Sequence, residues 1–190
     1  GTMYTIAKDV KFQLEFNPQR VKAYRLIGYE NRLLRDEDFN DDRKDAGEMG
    51  AGHTVTALYE LIPAGSGEKL KEIDDLKYQV RPEKTEVKPN INAELLTIKL
   101  RYKKPDGAKS ILIERPVKGK LTTLDEVSDN FRFSAAVAGF GLLLRNSEYK
   151  VDLNAEKVLS LAKSGRGDDE EGIRGEFIKL VKTAEALSAF

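Results

Sequence analysis

The stretch Val10-Lys11-Phe12-Gln13-Leu14-Glu15-Phe16-Asn17-Pro18 decides the fold class. Its apolar residues fall on every second position. In a pleated strand this puts Val10, Phe12, Leu14 and Phe16 on one face and Lys11, Gln13 and Glu15 on the other. Asn17-Pro18 then breaks the run, because proline cannot donate to a ladder and asparagine readily turns the chain. Val21 to Tyr29 follows as a second strand, which a short turn would join to the first as an antiparallel hairpin. Further out, Thr54 to Ile62 reads as a third strand and Leu76, Tyr78 and Val80 mark a short one. Leu96, Ile98, Leu100 and Tyr102 share one face of a longer strand, and Pro105-Asp106-Gly107 turns it back into Ile111 to Val117. No helical pattern long enough for a parallel crossover separates these runs. An antiparallel β-sandwich is therefore expected over 3–117, with Phe12, Leu14, Phe16, Leu96, Ile98 and Leu100 inside.

Past residue 122 the apolar period becomes 3.6. Thr122 and Thr123 stand three residues before Asp125 and Glu126, a pattern that starts helices. Phe133, Val137, Phe140 and Leu144 form the first apolar stripe, and Ala136, Gly139 and Gly141 leave little bulk, which predicts a helix pressed closely on its neighbour. A second helix is expected from Asp152 or Asn154 to Gly165, with Val158, Leu161 and Ala162 inward. In a third, Asp168 is the expected cap, Glu171 its capping-box partner, and Ile173, Phe177, Leu180, Ala184 and Leu187 the inward stripe. The fold class is α+β: a β-sandwich over 3–117 followed by a lobe of two or three helices over 118–190. That lobe should pack on the sandwich, since its stripes carry more apolar surface than three short helices hide among themselves.

Composition narrows the function. The 190 residues include 32 Lys+Arg and 32 Asp+Glu, so no net field gathers nucleic acid or anionic lipid. A chain of this length buries about 70% of its unfolded surface without needing disulfides or metals. It has no cysteine and one histidine, which removes thiolate metal sites and two-histidine sites within one chain. The apolar run Phe133 to Leu144 falls short of the roughly 20 residues that cross a bilayer, so no transmembrane segment is expected. No Gly-rich phosphate loop is present, and no cofactor is expected. Gly1-Thr2 before Met3, without a signal-peptide succession, reads as the start of an excised fragment.

Two places carry candidate chemistry. In the acidic run from Asp36 to Asp45, Asp36, Asp38 and Asn40 fit the first three ligand positions of a calcium loop. Asp41, however, stands where glycine is needed, and Gly47 where the bidentate glutamate should be. A calcium- or carbohydrate-binding module using 36–48 is thus one alternative, set against a solvated loop. His53, after Gly50-Ala51-Gly52, would centre a hydrolase only if a serine and an aspartate came to it from elsewhere in the chain. No serine has a nucleophile-elbow context, and hydrogen bonding of the ring to the loop backbone is the plainer role. Arg166-Gly167-Asp168 spells an adhesion tripeptide that the expected helix cap already explains. No catalytic residues emerge. The segment from Tyr29 to His53, long and polar for a connection, is the expected interaction surface, with Tyr29, Glu30, Asn31, Arg32, Glu48 and His53 as its candidates.

Longer motifs add a resemblance. Tyr4-Thr5-Ile6-Ala7-Lys8-Asp9-Val10-Lys11, Glu15-Phe16-Asn17-Pro18 and the run from Tyr24 to Arg32 resemble the C-terminal region of bacterial von Willebrand factor type A domain proteins, described as a domain of unknown function. The likeness continues at Asp45-Ala46-Gly47-Glu48, Gly52 to Glu60, Ala135 to Tyr149 and Gly175 to Val181. The adhesion-site signature Asp-x-Ser-x-Ser of those proteins is absent, so none of its residues transfers. What the resemblance implies is an upstream von Willebrand factor type A domain in the same chain and a bacterial cell-envelope location. It also implies a noncatalytic accessory role toward an unidentified protein partner.

Overall fold

The computed structural model describes residues 4–28, 47–67, 88, 90 and 92–187. It is an α+β fold in two compact units. Among the described residues, the first holds 4–25, 47–55, 59–67, 88, 90 and 92–119, and the second 26–28, 56–58 and 120–187. Two short segments from the first third of the chain, 26–28 and 56–58, are thus part of the helical unit.

The first unit contains six strands: β1 Thr5–Phe16, β2 Val21–Leu26, β3 Gly47–Gly50, β4 Tyr59–Pro63, β5 Leu96–Lys103 and β6 Ser110–Val117. They form a four-stranded sheet in the order β3-β1-β5-β6 and a two-stranded sheet of β2 and β4. β1 runs antiparallel to β3 and β5, and β5 to β6. The β5–β6 hairpin pairs Lys103 with Ser110 across the expected Pro105-Asp106-Gly107 turn, closed by Gly107 N–H to the Lys104 carbonyl at 2.9 Å. Asp9, at φ 49°, lies in the β1 irregularity between Lys8 and Lys11 and pairs with Lys103 at 2.7 Å.

β1 and β2 are not the expected hairpin, for they belong to different sheets. Asn17 makes the corner: its Oδ1 accepts from Gln19 N at 2.9 Å, and its carbonyl accepts from Arg20 and Val21 N, both at 2.9 Å. Arg20 then fixes the corner by donating to the carbonyls of Ala93 (2.8 Å) and Gly119 (3.2 Å). Phe16 stacks at 4.3 Å from Tyr24 of β2 and 5.5 Å from Tyr59 of β4, joining the two sheets through aromatic contact. Of the six residues expected inside, Leu14, Phe16, Leu96, Ile98 and Leu100 are half-buried, and Phe12 is exposed. β2 ends at Leu26 rather than Tyr29, and β4 starts at Tyr59 rather than Thr54. β3 falls inside the connection expected from Tyr29 to His53. The strand expected at Leu76, Tyr78 and Val80 lies outside the described residues.

The second unit contains α1 Asp129–Leu144, a single 3-10 turn at Glu148–Lys150, α2 Ala155–Ser164 and α3 Ile173–Ala186. Thr123 does bond Glu126, through its N–H at 2.9 Å and hydroxyl at 3.2 Å, but this turn does not continue. α1 starts six residues later, where Ser128 Oγ accepts from Phe131 N. Asn154 caps α2, accepting from Lys157 N at 2.9 Å. Ala136, Phe140 and Leu143 of α1, Val158, Leu159 and Ala162 of α2, and Ile178 and Val181 of α3 form a closed core. The Phe177 ring meets Phe133 and Phe140 edge-on at 5.3 and 5.6 Å. Gly165 ends α2 against the first turn of α1, so close that a Cβ there would stand 2.5 Å from Phe133 N.

Candidate functional site

The second unit holds a cavity of about 380 Å³. One wall is a face of α1: Phe133, Ser134, Val137, Ala138, Gly141 and Arg145, positions that the helical repeat stacks above one another. The other wall is Ile27 and Gly28 with Thr56 and Leu58. These two segments are tied by Ile27 N–H to the Leu58 carbonyl at 2.8 Å, which extends β2–β4 pairing one step and sets the wall's position. Gly28, at φ 78°, takes a left-handed turn suited to glycine, and a Cβ there would meet the Arg145 guanidinium at 3.9 Å. Among the described residues the lining is mostly apolar, with Ser134, Thr56 and Arg145 as its polar members. Its size and composition are those of a small-ligand or side-chain pocket. Arg145 Nε donates to its own helix at the Gly141 carbonyl, 3.4 Å away.

A second hollow of about 340 Å³ beside α3 is lined by Arg166, Gly172, Gly175, Glu176, Ile178, Lys179 and Lys182. The start of this helix already has its anion. Asp169, whose side chain is 3% exposed, accepts through Oδ1 from Arg174 N and through Oδ2 from Gly175 N, both at 2.8 Å, and pairs with Arg166 at 3.2 Å. Burial pushes its carboxyl up, but the two backbone donors and the Arg166 guanidinium outweigh that and hold it below the usual carboxylate range. The N-cap position is Gly172, and the side chain that serves the first N–H groups is Asp169, not the expected Asp168, because the turn ending at Gly172 brings Asp169 under them. Arg174 braces the same corner, donating to the Gly165 carbonyl at 2.7 Å, bonding Asn130 and lying 5.0 Å over the Phe133 ring.

The residues singled out in the sequence are scattered. Glu48, on β3, is exposed and accepts from the Thr5 hydroxyl at 3.3 Å. His53 is exposed after β3, its backbone N–H donating to the Gly50 carbonyl at 3.2 Å. Tyr29, Glu30, Asn31 and Arg32, and the weak metal candidates Asp36, Asp38 and Asn40, lie outside the described residues. Among the described residues no three metal-ligating side chains come together, and no helix is long and apolar enough to cross a membrane. Sequence reading did not find the cavity. Its one available signal was Gly141, grouped there with the close-packing residues, although a Cβ at that position would meet nothing within 4 Å.

The architecture defines a sheet-and-helix domain whose helical unit carries an open, largely apolar cavity. The chain belongs to the family described as Uncharacterized protein YfbK, C-terminal, which matches residues 1–187. It is 42% identical over 186 residues to Uncharacterized protein YfbK of Escherichia coli (strain K12), a match that takes in 98% of this chain and 31% of that protein. The chain thus spans about a third of its curated relative and corresponds to one domain of a longer protein. No solved structure shows significant similarity to it.

Proposed function

We propose that this domain is a noncatalytic interaction module, working beside an upstream von Willebrand factor type A domain of the same chain in the bacterial cell envelope. The observation that carries this reading is the cavity on α1: among the described residues its lining is open and mostly apolar, the composition of a surface that receives another polypeptide rather than of a reaction centre. The family match supports the modular part, since the relative has twice as much chain again outside the matched region. The sequence resemblance supports the kind of neighbour. Burying the exposed part of such an apolar surface is worth about 25 cal/mol per Å², less the cost of fixing the domains together.

Hydrogen exchange tests it, on the 190-residue chain alone and on a full-length family member. The expected result is slower exchange over Thr56–Leu58 and the cavity face of α1 in the longer protein. Equal protection of these segments in both would leave the module without an intramolecular partner and would sink the supporting role.

A further inference from the structure

β6 ends the four-stranded sheet, and among the described residues no strand pairs with its outer edge. The opposite edge, β3, is four residues with a glycine at each end, while β6 runs for eight. Brevity blunts an edge, and so do charge and proline; in β6 these come only in the second half, at Glu114, Arg115 and Pro116. The first half, Ile111-Leu112-Ile113, is apolar on both faces, with Leu112 45% and Ile113 39% exposed. The far end of β6 fixes which way its backbone groups point. Pro116 has no N–H to give β5, and the Val117 carbonyl accepts from Leu95 N at 2.6 Å. Odd-numbered residues therefore bond inward to β5, and the N–H and C=O groups of Ser110, Leu112 and Glu114 point outward. On the face that Ile113 shares, the register sets Leu100 and then the exposed Phe12 beside it. That apolar row runs unbroken to the edge.

We propose that β6 pairs antiparallel with β6 of a second copy, with Leu112 on the two-fold axis. The strand's own sequence selects this occupant. A continuous antiparallel sheet with a two-fold axis through it pairs residues of the same face, so the axis passes through a residue and not between two. Centred on Glu114, it would set two carboxylates opposite each other. Centred on Ile113, it would set Leu112 against glutamate and Ile111 against arginine, and would draw Pro116, which cannot donate, into the ladder. Centred on Ile111, it would carry the ladder into Ala108 and Lys109, outside the strand. Centred on Leu112, leucine meets leucine, Ile111 meets the second copy's Ile113, and Ser110 meets the second copy's Glu114. Arg115 and Pro116 then fall beyond these pairs. The like charges that approach there, Arg115 and the second copy's Lys109, are exposed and screened by salt. The Phe12-Leu100-Ile113 rows of the two copies join across the new ladder into one apolar face. This surface lies on the sheet unit, apart from the cavity, and goes beyond the interaction-module reading.

Sedimentation velocity of the 190-residue chain over a concentration series is the first measurement, and a reversible monomer–dimer equilibrium is expected. Leu112→Pro removes an outward N–H and leaves the bonds to β5 in place, so it should weaken the dimer about tenfold or more while circular dichroism is unchanged. Leu112→Lys, which sets like charges across the axis, should do the same without the constraint of proline. The chain has no cysteine, so a single one reads the register. Residues directly opposite in a hydrogen-bonded pair have Cα atoms about 5.5 Å apart, within disulfide reach, so Leu112→Cys should link two copies on mild oxidation. Glu114→Cys should not, because this register leaves it roughly 13 Å from its own counterpart. A monomer at every concentration overturns the proposal, as does a dimer indifferent to both Leu112 variants. Cross-linking through Glu114→Cys in preference to Leu112→Cys overturns it too, since a different residue would then lie on the axis. If the 190-residue chain stays monomeric while a full-length family member protects the Leu112 and Glu114 amides from exchange, the edge belongs to another segment of that longer protein and the second copy is excluded as its occupant.

Discussion

The helical unit closes a dry core around a few side chains, and the sheet unit does not, although both leave large apolar side chains exposed. Val158 and Val181 are fully buried, with six further core residues from the three helices around them. In the sheet unit the described apolar residues are mostly half-buried, Phe12 is 56% exposed, and the well-buried side chains are Val21 and Lys11. Three helices at close range surround a point on all sides. A four-stranded and a two-stranded sheet joined through Phe16, Tyr24 and Tyr59 leave much of each face open. Cooperative stability should therefore reside in the helical unit, and the sheet unit should tolerate substitution.

The sharpest way to break this contrast is Gly165→Ala. Its Cβ would meet Phe133 N at 2.5 Å and the Asp129 carbonyl at 2.7 Å, both backbone atoms that cannot swing aside. We expect a loss of about 3 kcal/mol or more in urea unfolding, since α1 and α2 must separate. A loss below about 0.5 kcal/mol would mean that the two helices are not in this close contact.

A matched pair of truncations sharpens it further. Val158→Ala empties a fully buried site and should cost about 2 kcal/mol. Phe12→Ala removes a larger side chain from the sheet, yet should cost about 1 kcal/mol or less because over half of it already faces solvent. If Phe12→Ala were the more damaging, the sheet would hold the dominant core and the comparison would be reversed.

Where the sequence could be read, one physical pattern was compatible with one arrangement. The Pro105-Asp106-Gly107 turn and the inward Val158 and Ala162 of α2 are such cases, whereas alternation located β1 and β5 without fixing their inner face: Phe12 is exposed, Lys11 is buried, and every residue of β5 is half-buried. In α1 the residues from Phe133 to Leu144 are almost all apolar, so period alone chooses no face. Phe133, Val137, Phe140 and Leu144 fit a helical stripe, but Val137 and Leu144 are exposed, and the buried residues are Ala136, Gly139, Phe140, Leu142 and Leu143. The small residues were the better guide, because a Cβ at Gly139 would come within 3.3 Å of Leu153 and Val158. In α3 the expected stripe was right in part: Phe177 and Ala184 pack against the core, but Ile173, Leu180 and Leu187 are exposed, and Ile178 and Val181 take the buried places. Spacings of three and four fit both stripes, and tertiary packing chose between them. The cavity was illegible for a different reason. It joins residues 27–28 and 56–58 to α1, and no local period encodes a meeting of segments so far apart in sequence.

The smallest expected effect is electrostatic and bears on what closes the helical unit at α3. The Asp169 carboxyl is held below its ordinary range by the N–H groups of Arg174 and Gly175 and by Arg166, against the opposing pull of burial. A folded-state pKa below the unfolded value means that the unfolded chain binds more protons in the interval between them. Its contribution is therefore complete above the unfolded value, about pH 4, and is lost as pH falls through the depressed folded value. Asp169→Asn keeps an oxygen for one backbone donor but removes the charge, so it should destabilise at neutral pH. The melting-temperature gap between the two proteins should then narrow as the solution is acidified from about pH 5 to about pH 2.5. Asp152 provides the control: its carboxyl is likewise held low, by the hydrogen bond and charge of Lys157, but the pair is exposed and Asp152→Asn should change little at any pH. A gap for Asp169→Asn that stays constant through the acid range would show that the carboxylate acts at α3 only as a neutral acceptor. The charge would then contribute nothing to closing the helical core.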